Sequence, residues 1–187
     1  ATNDVICPHF HIPLQSGSDR ILAKMERPYT TAEYAELLAK IRQRLPEAAI
    51  AADVMTGFPG ETEQDHQKAL EFIENCSFAG IHVFPYSRRR GTPAADMPNQ
   101  IPKNIKAARV RDILKIGQKS RQNYIERFLG RSMEVLLEQV KPDELRGHTR
   151  NYLDLRLPPE LNPGDWQAGD LVECVLRKEY FTEMKDL

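Results

Sequence analysis

Residues 8–14 alternate imperfectly, with Phe10, Ile12 and Leu14 on one side and His9 and His11 on the other, as in a strand covered on both faces. Gln15 to Ser18 follows as a polar, glycine-containing loop, and Ser18 is placed to cap a short helix through Met25 with Asp19 in its first turn. Thr30 and Glu33 make a capping box, after which Tyr34, Leu37, Leu38, Ile41 and Leu45 recur at helical spacing until Pro46. Ala49 to Met55 reads as a buried strand, Thr56 to Glu61 as a glycine-proline loop, and Thr62 as the cap of a helix running through Leu70, Ile73 and Cys76. Gly80 to Pro85 is a third strand, leading into the loop Tyr86 to Pro93.

Three strand-loop-helix units in series predict parallel strands joined by right-handed crossovers. In such folds ligands bind at the carboxyl ends of strands, where the three unusual loops fall. The loop Gln15 to Ser18 suits an anion or a ribose, although an ordinary strand-to-helix turn has the same composition.

A long helix is predicted over 102–128, packing through Ile105, Val110, Leu114, Ile125 and Phe128, with Gly117 as a weak point. Beyond Gly130 the period changes to two, giving strands at Met133–Glu138, Asn151–Leu157 and Leu171–Leu176 and a small appended β-barrel. The fold class is thus α/β, with boundaries expected at 1–100, 101–128 and 129–187.

With 187 residues, 41% hydrophobic and 28% charged, the chain has the composition of a globular protein. No apolar run approaches the roughly 20 residues of a membrane span, so no membrane partner and a cytoplasmic location are expected. Cys7, Cys76 and Cys174 lie far apart and form no metal-binding spacing. The net charge of −1 hides a basic island at Lys103, Lys106, Arg109, Arg111, Lys115, Lys119, Arg121 and Arg127, opposed only by Asp112 and Glu126. It is a candidate phosphate contact or a solvated helix surface.

Four stretches carry a resemblance: His9-Phe10-His11-Ile12-Pro13-Leu14-Gln15-Ser16-Gly17-Ser18, Met25-x-Arg27-x-Tyr29-Thr30, Asp53-Val54-Met55-x-Gly57-Phe58-Pro59-Gly60-Glu61-Thr62 and Phe84-x-Tyr86-Ser87-x-Arg89-x-Gly91-Thr92-Pro93-Ala94. Together they resemble the radical-SAM methylthiotransferases. Gly147-His148-Thr149-x-Asn151-Tyr152 is similar to the TRAM domain, the OB-like RNA-binding β-barrel that follows in that family. The strand at residues 11–15 and the stretch His82 to Ser87 look most like the branch acting on threonylcarbamoyl-adenosine beside the tRNA anticodon. The alternatives are the branch acting on isopentenyl-adenosine in tRNA, the branch acting on a ribosomal protein, and a non-catalytic RNA-binding module. A self-contained aldolase-like barrel has no Schiff-base lysine at any of the three strand ends.

The resemblance implies the carboxyl-terminal half of a partial radical-SAM barrel followed by the TRAM domain. It implies S-adenosylmethionine and two four-iron four-sulfur clusters as cofactors, and the tRNA anticodon stem-loop as partner. The family's Cys-x-x-x-Cys-x-x-Cys loop is absent, so the chain looks like part of a longer enzyme, inactive alone, with cluster ligands outside it. On this reading Gln15, Ser16, Ser18, Asp53, Met55, Gly57, Phe58, Gly60 and Glu61 contact the cofactor. His11, Tyr86, Ser87, Arg89, Arg150, Asn151 and Tyr152 contact the substrate or RNA, and the catalytic residue is unassigned. A half-barrel also leaves the edge at residues 8–14 open, and self-association through it is expected.

Overall fold

The computed structural model describes residues 6–182. The chain divides into two compact units, one of Phe10–Pro46 and Ile50–Arg121, the other of Ala1–His9, Glu47–Ala49 and Gln122–Leu187. The architecture is mixed α/β, with a three-stranded parallel sheet and a separate four-stranded antiparallel sheet.

In the first unit β1 (His9–His11), β2 (Ala49–Thr56) and β3 (Gly80–Pro85) lie in the order β1-β2-β3. The helices are α1 (Asp19–Lys24), α2 (Thr31–Arg44), α3 (Glu63–Cys76), α4 (Pro93–Asp96) and α5 (Lys103–Glu126). The expected capping box of Thr30 with Glu33 forms, and the cap expected at Thr62 proves to be a second box with Asp65, each side chain serving the other residue's backbone N–H. Such caps contribute about 1 kcal/mol apiece.

Strand β1 is shorter than its pattern. Backbone hydrogen bonds to β2 nevertheless continue past it, with the Ile12 N–H donating to the Ala51 carbonyl at 2.8 Å and the Leu14 N–H to the Asp53 carbonyl at 3.1 Å, up to an isolated bridge between Gln15 and Val54. Ser18 precedes α1 without capping it through its side chain, because its hydroxyl donates instead to Asp65 Oδ1 at 2.9 Å, an acceptor strengthened by its charge.

The sheet has unlike faces. Leu14, Ile50, Ala52 and Val54 pack with Tyr34, Leu38, Ile73, Phe78 and Ile113 from α2, α3, the α3–β3 turn and α5 in one core. Alternation turns His11, Asp53, Met55, His82 and Phe84 to the opposite face, where they are half-buried or exposed.

In the second unit β4 (Ser132–Val140), β5 (Leu145–Thr149), β6 (Asp154–Leu157) and β7 (Leu171–Val175) pair antiparallel in the order β6-β5-β4-β7. Strand β5 escaped the pattern reading because its inward positions after Leu145 are Gly147 and Thr149. A Cβ on Gly147 would lie 2.3 Å from the Leu136 carbonyl oxygen, so only glycine admits the neighbouring strand there. The strand expected from Asn151 begins at Asp154, since residues 150–153 turn, with Tyr152 at φ +57. Among the described residues no helix is long and apolar enough to cross a membrane.

Candidate functional site

The carboxyl ends of the three parallel strands bring together Gln15, the loop Thr56–Gly60 and Tyr86. Gln15 sits at φ +64, an unusual conformation for a residue with a side chain, while its backbone stays in the sheet by donating to Asp53 and accepting from Met55. Ser16 and Ser18 are buried in the first unit, with Ser16 Oγ accepting from the Ser18 N–H at 3.2 Å.

The glycine-proline loop is braced from inside. Glu61 accepts from the N–H groups of Gly57 at 2.8 Å and Phe58 at 3.3 Å, and from the Thr56 hydroxyl at 3.3 Å. Arg109 of α5 donates to the Glu61 carboxylate at 2.9 Å. Gly57 and Gly60 have φ of +74 and +77. The close approach that their missing side chains permit is made by this chain's own lysines, with Cβ positions 2.2 Å from Lys106 Cγ and 2.5 Å from Lys24 Nζ.

Phe58 and Tyr86 meet edge-to-face at 5.4 Å in a buried cluster with Ile21, flanked by Met25 and Met55. The Tyr86 hydroxyl is buried without a hydrogen-bond partner among the described residues. A buried orphan hydroxyl at the strand ends fits a bound polar molecule that completes its hydrogen bonding. On the open face Asp53 Oδ1 lies 3.0 Å from His11 Nε2 and 3.3 Å from His82 Nδ1. Gln15, Asp53, Met55 and Tyr86 are therefore the expected site residues with capacity left for a ligand, whereas Ser18 and Glu61 are engaged internally. Ser87 and Arg89 are exposed, and the Arg89 carbonyl closes a turn with Thr92.

Iron is a different matter. Cys76 and Cys174 are buried, and burial pushes the Cys76 thiol up to about 12 and raises that of Cys174. A protonated, enclosed thiol is no cluster ligand, so these residues do not fit an iron–sulfur cluster.

The basic island is partly internal. Arg109 is buried against Glu61, Lys106 donates to the Tyr86 carbonyl at 2.8 Å, Lys119 pairs with Glu74 at 3.0 Å and Arg121 donates to the Ala79 carbonyl at 3.3 Å. Lys103, Arg111 and Lys115 remain on the exposed side of α5. These internal partners lie in other segments and carry no sequence signal on α5 itself.

In the second unit Asn151 is buried, accepting from Thr149 Oγ1 at 2.5 Å and donating to the Tyr124 hydroxyl at 2.8 Å. Tyr152 stacks with His9 at 4.4 Å and with His148 at 4.6 Å. Arg150 is exposed.

The family model of the Radical SAM superfamily matches residues 3–73. A tRNA-2-methylthio-N(6)-dimethylallyladenosine synthase of Corynebacterium jeikeium is 38% identical over 178 residues, covering 94% of this chain and 35% of that protein. The synthase of the same name from Corynebacterium efficiens is 41% identical over 185 residues, with the same two shares of 94% and 35%. That of Pelotomaculum thermopropionicum is 40% identical over 141 residues, 75% of this chain and 32% of that protein. The chain spans about a third of the length of these curated relatives.

Their names correct the expected branch, since they specify dimethylallyladenosine and not threonylcarbamoyl-adenosine. Within the stretches behind that expectation Leu14 lies in the core and Ile12 and Val83 pack against it, so part of their identity is dictated by packing and not by a nucleoside. The chain carries a Radical SAM superfamily segment and, across nearly its whole length, is similar to radical-SAM tRNA methylthiotransferases.

Proposed function

We propose that this chain is the portion of a radical-SAM tRNA methylthiotransferase that supplies three barrel strands and a TRAM-like β-domain, and that the whole enzyme adds a methylthio group to dimethylallyl-adenosine in tRNA, in the cytoplasm. The observation that carries this reading is the 38% identity to a dimethylallyladenosine synthase along 94% of the chain. S-adenosylmethionine, when reduced at a cluster held by residues outside this chain, supplies the radical that removes hydrogen from the adenine.

The chain's own work is binding and orientation. Gln15 and Met55 line the cofactor side of the strand ends, and the Tyr86 hydroxyl offers a hydrogen bond to cofactor or base. The Glu61 brace keeps the glycine-proline loop in one conformation, so that its shape is preorganised. Arg89, Lys103, Arg111 and Lys115 are exposed cations suited to tRNA phosphates near the anticodon stem-loop.

The test is made on the protein at its full natural length, reconstituted with iron and sulfide and supplied with a reductant, S-adenosylmethionine and tRNA bearing dimethylallyl-adenosine. Nucleoside mass spectrometry should show the 2-methylthio product, and tRNA lacking the dimethylallyl group should give none. Intact clusters with cleavage of S-adenosylmethionine but no methylthio product on this tRNA would overturn the assignment.

A further inference from the structure

The open face of the parallel sheet holds a second constellation. His11, Asp53 and His82 stand on β1, β2 and β3, with Asp53 and His82 as Cα partners in the β2–β3 ladder. His11 Nε2 lies 3.0 Å and His82 Nδ1 3.3 Å from the same carboxylate oxygen, Asp53 Oδ1. The two imidazoles are tilted by 41° with centroids 5.4 Å apart. All three donor atoms lie within 4.8 Å of one another, and no other cluster of three such donors occurs among the described residues.

We propose that His11, Asp53 and His82 bind a divalent first-row transition ion such as zinc. Two imidazoles and one carboxylate are the donor set that suits zinc, cobalt, nickel or ferrous iron, and they exclude the thiolate chemistry of a cluster. Bonds of about 2.0–2.1 Å put neighbouring ligands of a tetrahedral ion about 3.3 Å apart. The edges of 3.0 and 3.3 Å already match that spacing. The third edge lies within 4.8 Å, and His82, with its side chain 73% exposed, has room to turn toward an ion.

Ligation requires each imidazole to present a lone pair to the ion. His11 Nδ1 and His82 Nε2 have no hydrogen-bond partner among the described residues, so either ring can move its proton there without breaking another contact. The donors sit on adjacent paired strands, which hold their spacing better than loops do. Three protein ligands leave at least one position open, the arrangement of an exchangeable ion.

Calorimetric titration of zinc into the 187-residue chain tests this, in a Cys7→Ser background that removes the exposed thiol. One ion should bind per chain with micromolar affinity. His82→Ala and Asp53→Asn should each weaken binding by at least about tenfold while circular dichroism stays unchanged. Cobalt should give a visible ligand-field band that His11→Ala abolishes, and His148→Ala should leave both signals intact. Millimolar or weaker zinc binding by the parent chain would overturn the site, and so would undiminished affinity in His82→Ala and Asp53→Asn.

Discussion

Arg109 and Glu61 form an ion pair inside the first unit, Nη1 lying 2.9 Å from Oε1 with the side chains only 7% and 5% exposed. Glu61 also holds the N–H groups of Gly57 and Phe58, so the pair fixes the glycine-proline loop against α5. Arg109→Met leaves a buried carboxylate without its partner and should cost about 3–5 kcal/mol. Urea unfolding of Arg109→Met, Glu61→Leu and the double variant checks this, with the double variant less destabilised than the sum of the two.

Asp65 links three segments by accepting from Ser18, Arg20 and Thr62. Burial alone would raise its pKa, but the hydrogen bonds from Arg20, Thr62 and Ser18 overcome it and hold the carboxyl below its ordinary 3.8. A carboxylate depressed in the folded state stabilises above its unfolded pKa and loses that contribution as pH falls toward the folded one. The parent chain should therefore lose stability between about pH 5 and pH 2, and Asp65→Asn should show a shallower acid slope from a lower starting point. Equal slopes in chemical denaturation across this range would refute the linkage.

Gly17 and Gly91 should both lose stability on gaining a methyl group, by different amounts and for different reasons. A Cβ at Gly17 would lie 2.7 Å from the Ala69 Cα of α3, backbone that cannot move aside, whereas Gly91 at φ +82 has nothing within 4 Å. Gly17→Ala should cost about 2–3 kcal/mol from overpacking and Gly91→Ala about 1 kcal/mol from backbone strain. Thermal unfolding of the two variants side by side measures the difference.

Tyr152 stacks with His9 and with His148, centroids 4.4 and 4.6 Å away, while remaining 45% exposed. Tyr152→Leu should lower stability by about 1–2 kcal/mol and shift the ring-proton resonances of both histidines. Tyr152→Phe should preserve the stack and leave RNA affinity unchanged. A loss of RNA binding in Tyr152→Phe with stability intact would instead give the hydroxyl a direct contact.

Local chemistry determined much of the chain in advance. The capping box at Thr30, the cap at Thr62, the strand at Gly80–Pro85 and the alternation that sets His11 apart from Ile12 and Leu14 depend on neighbours a few residues away, so they are visible in the sequence. The motifs around Gln15, Gly57 and Tyr86 likewise announced loops at strand ends. Only the tertiary structure decided what those loop residues do, because their partners are distant in sequence. Glu61 is occupied by Arg109 and Asp65 by Arg20, and the lysines that crowd Gly57 and Gly60 come from α5 and α1. The same holds for β5, whose inward Gly147 and Thr149 have no hydrophobic signature, and for His82, which meets Asp53 and His11 only when three strands from separate segments pair in register. Side-chain pattern reports burial and local hydrogen bonding, whereas the convergence of donors from separate strands is a property of the register.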